Sequence, residues 1–353
     1  MTQKYSKTVL ITGGCGFMGS HFLRRLYTQY PEYRIINLDA LTYAGNEDNL
    51  LDISGIEYAK EPADRRYEHI KGDICDPILV SRLFREYTFD LVVHFAAETH
   101  VDRSIYNFGD FIRTNVEGTR VLLEMARCSD TPRFVHISTD EVYGNVLEGT
   151  SDESAPLIPS SPYAASKTAG DMLARTYAKV YGLPLAIIRS SNNYASFQYP
   201  EKLIPLAITN FLEGGRMPVH GNGAHVRSWL HVDDFTRAVD LVAHDSQKFS
   251  IYNLAGESRT NREIIYEIAR ILGIDNVESR LDVIGDRPSA DLRYAPNAAK
   301  IKEELGWEAE RKLEEALSEV VEWYRANEEW WRKIKSRKEF LDHYEKQSTA
   351  KWY

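Results

Sequence analysis

Cysteine is scarce: three in 353 residues. Cys15, Cys75 and Cys128 are odd in number and stand at no metal-ligand spacing, so the sequence predicts no metal centre and no disulfide scaffold. They read as reduced thiols of a cytoplasmic protein. Long apolar runs are missing too, and none approaches the ~20 residues of a membrane span. The opening MTQKYSKTVLITGG enters a strand directly, without the pattern of a signal peptide. Nor is there an excess of positive charge. Lys and Arg number 43 against 52 Asp and Glu, a formal net charge of −9. That balance excludes nucleic acid or anionic membrane as the main partner, and leaves a small anionic ligand open through local basic residues. Repeats and low-complexity linkers are absent.

What is present is a long alternation of apolar runs and helical periodicity. Lys7–Thr12 (KTVLIT), Arg34–Asp39, Tyr67–Lys71, Asp90–Phe95, Arg133–Ser138 and 184–189 read as buried strands. Helices are expected over Phe17–Gln29, Pro77–Tyr87 (capped by Asp76), 108–128 and 163–181. Residues 40–64 read as a long polar connection. Beyond 192 the pattern turns irregular, with helices near 201–213, from 233–234, and over 261–272, 297–305 and 312–334, and a strand at 216–220. Strands alternating with helices predict an α/β fold: a Rossmann-type, doubly wound parallel sheet with a smaller C-terminal α/β part. Residues 1–190 are expected to hold most of the sheet, with some later segments returning to it. Residues 191–335 would form most of a substrate-binding part, and 336–353 a tail.

Three stretches carry chemistry. In TGGCGFMG, Gly13, Gly16 and Gly19 follow the first strand and open a helix, a setting that lets a pyrophosphate approach the backbone. Asp39 ends the second strand, where its carboxylate suits both hydroxyls of an adenosine ribose and would repel a 2′-phosphate. No Arg or Lys follows in Ala40–Leu41, so NAD is expected over NADP. Asp73 and Ile74 could flank the adenine, although Asp73 fits a simple turn nearly as well. In SPYAASK, Tyr163 and Lys167 share one helix face at i, i+4. A nearby ammonium favours a phenolate, which suits Tyr163 to act as a base. In HISTDEVYGN, Thr139, Asp140 and Glu141 stand at the C-terminal end of a parallel strand, where ligands of open α/β sheets bind. A regular strand would send the two acids to opposite faces, so a curving loop after Ser138 is expected to bring both to one ligand. Lys202, Arg227 and Arg287 are candidates for a diphosphate, and Asn192 and Asn193 follow another strand end. Trp229 reads as a core residue, and Tyr294 as core or a stacking partner. His94 reads as a satisfied core histidine, with His100 open between core and site.

These motifs, with HFAAETHVDRS, SSNNYASFQYPEKLIPLAI and GDRPSADLRYA, resemble the extended short-chain dehydrogenase/reductases, and within them the nucleotide-sugar 4,6-dehydratases, from about residue 7 to about 335. The resemblance implies that Thr139, Asp140, Glu141, Tyr163 and Lys167 match the catalytic set, the order Thr-Asp-Glu separating dehydratases from 4-epimerases. It implies NAD along Gly13–Gly19, with Phe17 and Met18 at the pyrophosphate. Asp39, Ala40, Leu41, Thr42, Asp73, Ile74, Phe95, Ala96, Ala97, Thr114 and Asn193 match the remaining cofactor positions. Thr99, Asn192, Lys202, Leu203, Pro218, Val219, His220, Arg227, Asn261, Arg287 and Tyr294 fall to the sugar nucleotide. A homodimer through a four-helix bundle, two helices from each subunit, is implied as well. The chain departs from the family at Ala195–Ser196, Ser228, Ser289 and Ala290, mostly in the nucleotide half. dTDP-glucose is the expected substrate, with UDP-glucose or another nucleotide sugar as alternatives, and 4-epimerase or decarboxylase chemistry as a further one.

Overall fold

The computed structural model describes residues 5–288 and 290–350; Ser289, one of the departures, lies outside them. The first half runs β1 (Lys7–Thr12), α1 (Phe17–Gln29), β2 (Tyr33–Asp39), α2 (Leu51–Tyr58), β3 (Tyr67–Lys71), α3 (Pro77–Glu86), β4 (Leu91–His94) and α4 (Val101–Tyr106). It continues with α5 (Phe108–Phe111), a π-helical stretch Ile112–Gly118, α6 (Thr119–Cys128), β5 (Phe134–Thr139), α7 (Pro162–Tyr181) and β6 (Leu185–Ser190). The second half runs β7 (Asn192–Tyr194), α8 (Leu203–Leu212), β8 (Met217–His220), β9 (Val226–His231), α9 (Val232–His244), β10 (Phe249–Leu254) and β11 (Glu257–Thr260). Last come α10 (Asn261–Ile271), β12 (Leu281–Ile284), α11 (Ala299–Leu305), α12 (Leu313–Ala326), α13 (Glu328–Lys335) and α14 (Lys338–Thr349).

Seven strands form one parallel sheet in the order β10-β6-β5-β4-β1-β2-β3. Strand alternation divides its two faces. Val9, Ile11, Val93, Val135 and Ile188 pack with Phe22 and Leu26 of α1 and Phe235 and Val239 of α9. Leu10, Ile36, Val92, Phe134 and Ile187 face the other way, onto Val80 of α3, Leu122 of α6 and Ala174 of α7. The order reverses between β1 and β4, so their C-terminal ends leave a crevice. A separate core gathers Ile204 and Ile208 of α8, Ile264 and Ile268 of α10, Leu317 and Val321 of α12 and Trp331 of α13.

Several elements differ from the sequence expectation. The connection 40–64 holds α2, because Leu50 and Ile53 are buried and Asn46 accepts the Asp48 N–H to start the turn. The helix expected over 312–334 breaks at Asn327. Strands β7 and β11 are short and polar (NNY, ESRT), β12 is only four residues, and β9 opens on polar residues (VRSWLH), so only β8 was legible there. β10 was likewise not anticipated; it returns to the main sheet beside β6.

Candidate active site

One cavity of about 570 Å³ runs from the glycine loop, past the end of β5, to the loops of the C-terminal part. Gly13 has φ +74°, and a Cβ there would lie 2.6 Å from the Ala96 backbone nitrogen; a Cβ on Gly19 would strike the Gly13 carbonyl. Both positions therefore require glycine. Gly16, which faces the cavity, precedes α1 without a capping side chain, and no acid stands in the first turn. The helix N-terminus is left to an anion. Asp39 is held by the backbone N–H groups of Cys15 and Leu41, each at 2.8 Å, and lines the cavity. The residues present thus fit a dinucleotide: a cradle at the pyrophosphate and an oriented carboxylate one strand over.

Strand β5 ends at Thr139, and Thr139 starts the next turn. Its Oγ1 accepts the Glu141 N–H at 3.3 Å and stands 3.4 Å from Asp140 Oδ1. A tight 3-10 turn over Asp140–Tyr143 replaces the extended chain, so both acids line the cavity rather than opposite faces of the sheet. Burial and then the Glu141 charge push the Asp140 carboxyl up to about 8. Burial also raises Glu141, while Arg227 and Lys202 pull it down. Tyr294 donates toward Glu141 Oε2 at 3.5 Å, and its hydroxyl bonds Asp291 at 2.8 Å. The Arg227 guanidinium covers the ring of Tyr294, which is buried and lines the cavity.

Tyr163 sits in the first turn of α7, behind Pro162 and the cap Ser161, whose hydroxyl accepts the Ala164 N–H at 3.1 Å. Its phenol departs from the expected direction. Burial and then the Glu141 charge raise it, while the hydroxyls of Thr99 and Thr139 pull it back. Lys167 does not counter this. Its Nζ donates to the Ile137 carbonyl at 2.7 Å, and burial lowers the ammonium to about 8. The phenolate therefore depends on those hydroxyls and on positive charge brought by a ligand.

Of the candidate residues, Leu41 alone does not line this cavity. With φ +54° it turns the chain, gives its N–H to Asp39 and packs on the core. All the others do. Asp73 accepts the Cys75 N–H within a turn, as the turn reading expected, pairs with Arg113 at 2.6 Å, and also lines the cavity. Trp229 is core, and His94 is a satisfied core histidine between Thr12 at 2.8 Å and Thr119 at 3.0 Å.

A family model described as GDP-mannose 4,6 dehydratase matches residues 10–320. The chain belongs to the nucleotide-sugar 4,6-dehydratase family. It is 44% identical over 335 residues to dTDP-glucose 4,6-dehydratase of Streptomyces niveus, covering 93% of this chain and 96% of the relative. The Escherichia coli dTDP-glucose 4,6-dehydratase is 41% identical over 355 residues, covering 92% and 96%. Among solved structures, DesIV, the dTDP-glucose 4,6-dehydratase of Streptomyces venezuelae with NAD and TYD bound, superposes with a TM-score of 0.86 at 44% identity, covering 93% of this chain and 99% of that one.

Against this 4,6-dehydratase frame, sequence reasoning missed Glu201, His225 and Gln347 as cavity-lining residues. Glu201 adjoins the expected Lys202 and could have been found from it. Gln347 comes from the tail, and no motif announces it.

Proposed function

We propose that the protein is a hydro-lyase converting dTDP-glucose to its 4-keto-6-deoxy sugar nucleotide with bound NAD. The observation that carries this reading is the convergence of Asp140 and Glu141 on the cavity that Tyr163 faces. Held along Gly13–Gly19 and at Asp39, NAD would supply a reversible hydride acceptor for sugar C4 and the hydride donor for C6. Tyr163 accepts the proton of the 4-hydroxyl at its phenolic oxygen, and Thr139 orients that oxygen. The resulting 4-ketone acidifies the C5 hydrogen. Glu141, whose carboxylate is favoured by Arg227 and Lys202, removes that proton and returns one, exchanged with solvent, to C5 as hydride adds at C6. Asp140, with its carboxyl raised to about 8, remains protonated near neutrality and delivers its proton to the departing 6-hydroxyl. Lys202, Arg227 and Arg287 line the cavity beside Glu141 and offer the cations a diphosphate needs. The kinship with dTDP-glucose enzymes supports thymidine as the base.

We divide the chain into a part mainly within 1–190 for the cofactor and a part mainly within 191–335 for the nucleotide sugar; the second core lies within the latter, while α9, β10 and Trp307 return to the sheet. A cytoplasmic site agrees with three free cysteines, and among the described residues no helix is long and apolar enough to cross a membrane. A homodimer through the helices of 108–128 and 163–181 is supported by the apolar side chains that α5, the π-helical stretch and α7 expose.

The test is turnover of dTDP-, UDP-, GDP- and CDP-glucose side by side in D2O. A 4-keto-6-deoxy product carrying deuterium at C5, formed fastest from the dTDP sugar, is expected. A C4 epimer without loss of water would instead assign the site to epimerisation.

A further inference from the structure

The tail helix α14 buries Phe340, His343 and Gln347, spaced so that they share one face. Phe340 anchors the helix beside Tyr199. His343 enters between Tyr106, whose hydroxyl is 2.8 Å from Nδ1, and Glu201, whose carboxylate is 3.5 Å from Nε2. Gln347 reaches the cavity wall, and its Nε2 lies 3.2 Å from both Asp102 Oδ2 and the Glu201 carbonyl. Asp102 is fully buried in α4 and forms an ion pair with Arg287, which also lines the cavity.

His100, Asp102 and His343 present ligand atoms within 4.8 Å of one another, the donor set of a metal site. The charges around them argue otherwise. Arg287 already occupies Asp102, and Arg287, Lys202 and Arg103 all hold the two imidazoles below their usual range, after burial itself. Three cations at that range oppose a fourth. A polar support explains the same residues: Gln347 donates to Asp102, which holds Arg287, and His343, hydrogen-bonded to Tyr106, packs beside the Glu201 carboxylate that holds Arg103.

We propose that α14 is the positioning element of the diphosphate site, with Gln347 bracing Asp102 while Phe340 and His343 seat the helix beside Tyr199 and Tyr106. Asp102 then grips part of the Arg287 guanidinium and leaves its remaining N–H donors to the phosphate oxygens of the substrate. Gln347 and His343 are positioning residues, and the inference rests on the nucleotide-sugar reading above.

The test uses the full-length protein with NAD and measures dTDP binding by calorimetry, separately from turnover. Gln347→Met keeps the length and removes the donor. It is expected to raise the dTDP Kd and the KM for dTDP-glucose about five-fold, the scale of one lost hydrogen bond. NAD content should hold and kcat should change less than two-fold. Gln347→Glu sets a second acid against Asp102 and should weaken dTDP more at about pH 8 than at about pH 6. Unchanged dTDP affinity in both variants overturns the proposal, as does an equal loss of kcat, NAD and dTDP binding. Loss of dTDP binding on chelation, regained with zinc, would overturn it in favour of a metal centre. Wild-type protein that binds dTDP in this Gln347-dependent way but dehydrates no nucleotide sugar supports the inference while sinking the proposed reaction.

Discussion

Asp140 and Glu141 are neighbours with different tasks, and their surroundings separate them. Glu141 faces Arg227 and Lys202, whereas burial and the Glu141 charge keep the Asp140 proton in place. Glu141→Gln and Asp140→Asn should each still form the 4-ketone, seen as bound NADH, while water elimination falls ~10²–10⁴-fold, the usual worth of one general acid or base. Full elimination by either variant would refute the assignment. The pH dependence follows from the same groups. Asp140 must be protonated to release the 6-hydroxyl and changes state at about 8, so the elimination step should slow as pH rises through that value. The raised carboxyl also costs stability. Its native value lies above the unfolded 3.8, so the folded protein retains a proton that the unfolded chain releases. Between about pH 4 and about 8 this contribution to stability falls as pH rises. Asp140→Asn removes it, and its gain in thermal midpoint over wild type should be larger near pH 7 than near pH 4. The two acids are visible in the sequence, but their convergence is not. It depends on β5 giving way at Thr139 to a 3-10 turn, which strand periodicity does not announce.

At the scale of elements, α7 carries Tyr163 and Lys167 and is bolted to the sheet one turn beyond them. Asp171 and Arg189 form a two-point ion pair between α7 and β6, at 2.8 and 2.9 Å, with both side chains fully buried. Arg189 also donates to the Tyr143 hydroxyl at 2.8 Å, joining the end of the catalytic turn to the same bolt. Asp171→Leu strands a buried guanidinium and should cost ~3–5 kcal/mol by denaturant unfolding, whereas Asp171→Leu with Arg189→Met should recover much of it. If the single variant were as stable as wild type, the bolt would carry no weight. The sequence displays α7 and β6 clearly, since each is long or strongly apolar. It hides this pair because acids and bases at a distance in the chain give no sign of meeting. The polar strands β7 and β11 and the helix α14 were illegible for a related reason: what orders them is tertiary packing on residues far away.

Assembly is decided at the scale of the whole molecule. α5 and the π-helical stretch lie along α7, and this layer exposes Phe108, Ile112, Met172, Val180 and Tyr181. Ile112 and Met172 are 43% and 48% exposed, a cost in water that a second copy of the same layer would relieve. A two-fold contact of this kind places identical patches against each other. A charge on one patch is therefore met by its own copy, and the penalty counts twice. For the proposed homodimer, wild type should sediment as a dimer and Met172→Glu as a monomer in sedimentation velocity. Met172→Leu, which keeps the apolar surface, should leave it dimeric. Since Tyr163 stands at the start of α7, separation of the subunits should also loosen the site, lowering turnover in the monomeric variant even at saturating substrate. A Met172→Glu protein that sediments as wild type would show that this face is not the interface.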